Sequence, residues 1–335
     1  AQTVAWTVHA ERGALDDAHQ RLLDASLPDA SFVTAEAGQG QVGVLGIHAQ
    51  RLVAQRTLRP GLALGAVIEH ERQRSLDATQ LLEVPSDAGR LGATLRWQGE
   101  SVGVEAEVAR LFAVRDRTGA KLTARPQPYA DRGPSIAIGL RQPASESAPL
   151  RVGGMKDVLE LRWSQPITSR DQLSATVAPT RLMSQDGSTL GTGTVWSFEA
   201  VHRLRLEYPD LSFKALLFHS DWNPRTVADS IVAPRVPAAL GDPTAAVIPV
   251  SSTELAAGVS FGDTVAQTYS RALRPFGEAL LRANSVSGAG YALRAGFTAS
   301  VFGTDRLSAF LQILSRTPGI PGGTRALGAA YQFLF

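Results

Sequence analysis

The sequence predicts an all-β protein: a transmembrane antiparallel up-and-down β-barrel of about sixteen strands, with a short amphipathic helix near the N-terminus. Three observations carry this prediction. Segment after segment alternates apolar and polar residues with period two, the mark of strands with one apolar and one polar face. The longest apolar runs, Leu62 to Ile68 and Ala245 to Val250, fall far short of the roughly 18 to 20 residues of a membrane helix. If this chain crosses a membrane it does so with strands, closed so that every edge is paired. Finally, the chain ends on an alternating run with Tyr331, Phe333 and Phe335 on one face.

Taken in order, the strand-like segments are Thr3 to His9, Ser31 to Ala37, Val42 to Leu52, Gly61 to Arg72, Leu91 to Trp97, Val102 to Val108, Pro134 to Gln142 and Leu159 to Trp163. Asp171 to Leu182, Trp196 to Glu207, Leu211 to Leu217, Ser251 to Gly262, Tyr269 to Ala283, Tyr291 to Val301, Leu307 to Ile313 and Leu327 to Phe335 follow. Within Leu307 to Ile313, Phe310 alone breaks the polar face. Sharing 335 residues among sixteen strands leaves about 21 per strand and connection, enough for spans of roughly 9 to 11 residues with loops. One barrel domain over residues 1–335 accounts for the whole chain. Ala14 to Ala25 differs, with Ala14, Leu15, Ala18, Leu22 and Ala25 at helical spacing.

The connections sort by length. Short turns near Pro166 to Arg170, Pro209, Gly262-Asp263 and Gly303 to Asp305 alternate with longer loops in the C-terminal half, the expected asymmetry between the periplasmic and outer ends of such barrels. The longest connection, Trp222 to Pro249, is Pro-rich and apolar, and its Trp222, Arg225, Asp229, Arg235 and Asp242 make it a candidate gating loop, a plug or lid. Ser75 to Ala88 and Val114 to Asp131 are expected to be long loops as well.

Composition excludes several functions. The net charge is only +2, from 33 basic and 31 acidic residues interspersed along the chain, so no nucleic-acid surface is expected. Cysteine is absent, which removes disulfides, thiolate metal sites and cysteine nucleophiles. The six histidines show no HxH, HxxxH or HExxH spacing, so neither a metal nor another cofactor is expected. No Walker loop or GxSxG elbow occurs, and Ser197 and His202 fall on opposite faces of their strand. The chain therefore reads as a pore rather than an enzyme.

A charge on a barrel strand faces water or costs about 2 to 4 kcal/mol against lipid. Arg96, Glu105, Glu107, Glu160, Arg162, Glu199, Arg203, Arg205, Lys214, Glu278, Arg282 and Arg294 all fall on polar faces and are expected to line the lumen. The opposite faces, rich in Leu, Val, Ala, Phe and Trp, suit the lipid bilayer of a Gram-negative outer membrane.

The ending Ala326 to Phe335, with Gly328, Tyr331, Phe333 and Phe335, resembles the C-terminal signal that outer-membrane proteins present to the barrel-assembly machinery. The chain's size, strand number and the fragment ALDDAHQRLLDA before Leu27-Pro28-Asp29 resemble the barrels of TPR-containing exopolysaccharide-secretion porins, the PelB, BcsC and PgaA type, with PelB preferred. That resemblance implies a pore exporting a biofilm polysaccharide, a periplasmic TPR domain ahead of the barrel, and a periplasmic scaffold or lipoprotein as partner. A general or substrate-specific diffusion porin is the alternative, and an autotransporter-type translocator a second.

Overall fold

The computed structural model describes residues 30–126, 132–263, 272–303, 305–317, 320 and 322–335. The alternating segments fold into sixteen strands in one closed antiparallel barrel. They are β1 (Phe32–Val42), β2 (Leu45–Arg59), β3 (Leu62–Ser75), β4 (Asp87–Gln98), β5 (Val102–Phe112), β6 (Arg117–Pro126), β7 (Gly133–Pro143) and β8 (Gly154–Pro166). β9 (Asp171–Ser184), β10 (Thr189–Arg205), β11 (Leu211–Pro224), β12 (Ser252–Phe261), β13 (Arg274–Asn284), β14 (Gly288–Ala299), β15 (Asp305–Leu314) and β16 (Thr324–Leu334) complete it. Each strand pairs with its sequence neighbours, and β1 closes the ring on β16 in a register running from Phe32 opposite Leu334 to Val42 opposite Thr324. Closure leaves no strand edge without partners, which a sheet in hydrocarbon requires.

The number of strands agrees with the sequence expectation, but one member of the set differs. Thr3 to His9 lies outside the described residues, as does the helical segment Ala14 to Ala25. The stretch Val114 to Asp131, expected to be a loop, instead contributes β6. Its outward residues Thr118, Ala120, Leu122 and Ala124 include a single large apolar side chain, too weak an alternation to stand out.

Alternation places large apolar groups outside. Leu52, Ile68, Leu95, Val108, Leu140, Leu161, Phe198, Leu255 and Leu281 are all exposed on the outer surface. Trp97, Trp163, Phe213, Phe261, Phe297 and Phe333 are exposed near the end of the barrel where β1 begins and β16 finishes, and they read as an interfacial aromatic girdle. We call this the terminal end and the other the distal end.

What core the protein has lies at the distal end. The β7–β8 connection carries helix α1 (Ala148–Gly153), capped by the Ser147 side chain on the Leu150 N–H and with Pro149 in its first turn. The β11–β12 connection holds two single 3₁₀ turns, 233–235 and 238–240, and helix α2 (Pro243–Val247), capped by Asp242 on the Thr244 N–H. Leu150 of α1 packs with Leu182, Leu190, Trp222, Val227, Val232, Val236, Val247 and Ile248 in one buried cluster. Ala148 and Val152 pack on the other side with Leu45 and Leu81. The short helix thus joins two apolar clusters within the barrel mouth.

A polar vestibule and a filled mouth

Inside the barrel, charges and hydroxyls from β6 to β14 surround a cavity of about 690 Å³ that reaches the terminal-end residues Pro126, Asp210 and Asp263. Glu160, Arg162, Glu199, Arg203, Lys214, Glu278 and Arg294 line it together. Lys121, Arg125, Arg132, Asp210 and Asp263 complete its charged wall; sequence reasoning missed these, Lys121 and Arg125 because β6 went unseen. Lys214 Nζ lies 2.6 Å from Glu278 and 2.7 Å from Asp263, so one ammonium serves two carboxylates. Ser174 donates to Glu199 at 3.4 Å and Arg203 to Gln172 at 3.2 Å.

The remaining expected lumen residues occupy other parts of the wall. Arg96 and Glu105 stand opposite one another on β4 and β5. Glu107 is ion-paired with Arg90 of β4. These pairs continue a row in which Glu36, Arg51, Glu69 and Arg90 alternate in sign across β1 to β4 in register, with Arg51 3.3 Å from Glu36. Arg282 grips Glu254 with both Nε and Nη2, at 2.7 and 2.6 Å, also donates to the Ser315 carbonyl at 3.0 Å, and lies outside the cavity. Arg205 departs from expectation: a bulge between Arg203 and Arg205 sets it opposite the outward-facing Leu211 at the terminal rim. A bulged strand gains one residue, so alternation past it reverses.

At the distal end the gating-loop residues take distinct positions. Trp222 belongs to β11 rather than the loop; its indole lies inside over Gly193, where a Cβ would collide with the ring. Arg225 donates its N–H to the Leu190 carbonyl at 2.8 Å. Asp229 is exposed, Asp242 caps α2, and Arg235 is buried with its guanidinium on the Ile231 carbonyl. Burial holds the Arg235 guanidinium below its ordinary value, with Glu83 acting in the opposite sense.

Three contacts fix this loop in the mouth. Ser147 donates to the Val247 carbonyl at 2.7 Å, the Ile231 N–H reaches the Asp186 carboxylate at 3.0 Å, and the Leu82 N–H reaches the Arg235 carbonyl at 2.9 Å. Gln185 ties α1 to the β9–β10 turn by donating to the Val152 carbonyl at 3.1 Å, and Arg151 of α1 pairs with Glu71 of β3. Among the described residues the vestibule reaches the terminal end, while connections from four sides meet across the distal one.

Of the residues expected to form the assembly signal, Tyr331 and Phe333 face outward on β16 and Gly328 faces inward beneath the Phe310 ring. Phe335 follows the strand and donates its N–H to the Ser31 carbonyl at 3.0 Å.

The family model described as PelB, C-terminal beta barrel domain, matches residues 27–334. No curated protein sequence matches the chain. Among solved structures, a bacterial polysaccharide outer membrane secretin is similar with a TM-score of 0.67 at 13% identity, over 92% of this chain and 99% of its own. CdiB from Acinetobacter baumannii gives a TM-score of 0.50 at 7% identity, over 91% of this chain and 60% of its own. At these identities the likeness is one of barrel fold.

Proposed function

Since the chain belongs to the PelB C-terminal β-barrel domain family, we propose that it is an outer-membrane pore through which a secreted polysaccharide leaves a Gram-negative cell. The observation that carries this reading is the vestibule: a charged, hydroxyl-rich cavity of about 690 Å³ that, among the described residues, reaches the terminal end and is covered distally by packed connections. A glycan that leaves water keeps its hydroxyl groups satisfied only against hydrogen-bonding walls, and Ser135, Ser164, Gln172, Ser174 and Ser212 supply them between the charges. The fold similarity to a polysaccharide secretin supports the same direction.

In this reading the terminal end faces the periplasm and receives the polymer from a scaffold or lipoprotein partner, with a TPR domain ahead of the barrel. The distal loops face outward and move aside during export, and β16 with Phe335 presents the barrel to the assembly machinery. The chain conducts rather than catalyses; Ser197 and His202 point to opposite sides of the wall.

Release of fluorescent glycans from proteoliposomes tests the proposal. A chain in which residues 226–249 are replaced by a short Gly/Ser linker is expected to release linear oligosaccharides much faster than compact dextrans of the same mass, and the intact chain to release neither. Equal release of both glycans, or free release by the intact chain, would sink the export reading in favour of a general porin.

A further inference from the structure

On the outer wall, the seam where β16 meets β1 carries a shallow groove of about 520 Å³. The small side chains of Ala35, Ala37 and Ala329 lie between the larger Leu52, Ile68 and Leu307 along it. Two register rows cross this groove from β16 through β1 and β2 to β3: Tyr331, Ala35, Leu52, Ile68, and then Ala329, Ala37, Gln50, His70. A hydrocarbon chain laid over the alanines gains dispersion contacts on its flanks that an even wall does not offer.

Toward the distal end the next two rows turn cationic: Leu327, Gln39, His48, Arg72, and then Arg325, Gln41, Gly46, Arg74. Arg72, Arg74 and Arg325 are exposed and share the outward side of their strands with Ile68 and Leu327. The Arg74 stem passes beside Gly46, 3.4 Å from where a Cβ would stand. Among the described residues no carboxylate lies within ion-pair distance of these three arginines. The nearest in sequence and register have other partners: Asp87, opposite Arg72, is 3.5 Å from His70, and Asp77 accepts from Thr79 and Gln80. The distal end of β8 to β11 differs, for there Arg181 is held 2.6 Å from Asp157, and Asp221 accepts the Ser251 hydroxyl at 3.1 Å. Unpaired outward cations thus gather at the closing seam.

Strand geometry sets their height. Leu62 is opposite Trp97 of the aromatic girdle, and Arg72 is ten residues further along β3. At about 3.4 Å per residue and a tilt of about 40°, this is about 26 Å along the barrel axis, against an apolar band about 25 Å tall. Arg72 and Arg74 therefore stand at the far headgroup level, where a guanidinium fork suits phosphate. Arg74 and Arg325 are three strands apart, about 14 Å, which is too far to share one phosphate and suits phosphates at the two ends of a disaccharide. We propose that the seam holds a phosphorylated glycolipid of the outer leaflet, with its headgroup phosphates on Arg72, Arg74 and Arg325 and an acyl chain in the groove over Ala35, Ala37 and Ala329. This rests on the orientation proposed above, in which the distal end faces the lipopolysaccharide leaflet.

Native mass spectrometry of the refolded full chain, in micelles doped with diphosphorylated lipid A, dephosphorylated lipid A or phosphatidylglycerol, tests the proposal. The parent is expected to retain diphosphorylated lipid A about tenfold more strongly than either other lipid, since each basic side chain at an anionic surface contributes about fivefold. Arg72→Gln, Arg74→Gln and Arg325→Gln combined should remove that preference. Ala37→Phe fills the groove without changing charge and should also weaken retention; it decides the question if the combined variant fails to give a heat-modifiable barrel. Arg181→Gln, outside the seam, is expected to bind as the parent does. Unchanged retention in the combined variant and in Ala37→Phe would overturn the site. So would an equal loss in Arg181→Gln, equal retention of phosphatidylglycerol, or a lipid-free dimer of the chain. Glycan release from proteoliposomes does not involve these outward residues and reports on the pore separately, so a failed lipid site and a failed export pore are told apart.

Discussion

The backbone N–H of Leu82 donates to the carbonyl oxygen of Arg235 at 2.9 Å, although the two residues sit on connections that leave the barrel wall eight strands apart in a ring of sixteen. The β11–β12 connection must therefore span the mouth to reach its opposite number. This is the contact most sensitive to any outward movement of the loop.

Arg235 holds its end of that bridge through a buried guanidinium on the Ile231 carbonyl. Arg235→Ala removes a charge-assisted hydrogen bond and its packing, a loss of about 1 to 3 kcal/mol. Hydrogen exchange at the Leu82 amide is expected to accelerate roughly tenfold or more, with amides of mid-barrel strands unchanged. An unaltered Leu82 rate would show that the loop is held elsewhere.

Acidity should loosen the same loop from another side. Burial acts to raise the Asp186 pKa, but the Ser188 and Ile231 N–H groups that its carboxylate accepts outweigh this and hold it below the ordinary 3.8. A carboxylate depressed in the folded state stabilises above its unfolded pKa, and that contribution is lost as pH falls through the folded one. Proteolysis or exchange within 225–251 is therefore expected to be flat from neutral pH down to the normal carboxylate range and to rise below it. Asp186→Ala should show the raised level at every pH.

The Arg282–Glu254 pair is buried on both sides and bidentate. Among the described residues Arg282→Met leaves the Glu254 carboxylate with only Asn284, 3.3 Å away, and is expected to cost about 3 to 5 kcal/mol. The double variant Arg282→Met with Glu254→Met should recover much of that, because no unpaired charge remains. Urea unfolding of the barrel in lipid, read by tryptophan fluorescence, compares the two. Equal losses would mean that packing rather than charge dominates there.

Gly328 accommodates the Phe310 ring, which a Cβ would meet at 2.8 Å. Gly328→Val forces that ring out of place, at about 1 to 3 kcal/mol, in the strand that closes the barrel. Lower thermal stability is expected, with recovery in the Gly328→Val, Phe310→Ala double variant. If the single variant is as stable as the parent, the ring is not seated as described.

The outer surface was legible in the sequence because lipid contact demands large apolar residues at every second position, as in Leu91, Ala93, Leu95 and Trp97. β6 was not, since Ala120 and Ala124 meet the same demand without the same signal. Phe310 looked like a flaw in alternation and Trp222 like the start of the long loop, and both proved to be inward residues laid over glycines, a relation that needs the register. Helix α1 is six residues long, too short for a helical period, although Ser147 with Pro149 could have marked its start. The charges were readable as inward-facing, but which of them pair and which stand in the cavity depends on strand order. Arg205 was misplaced because nothing in the sequence announces a bulge.

The most direct test of the central claim, a glycan pore covered by its own distal loops, is single-channel current in planar bilayers for the intact chain and for the form lacking 226–249. The account predicts a closed or flickering intact channel, a large steady current once the loop is removed, and block of that current by oligosaccharides added at the terminal end. A steady ohmic current through the intact chain that is indifferent to sugars would contradict it.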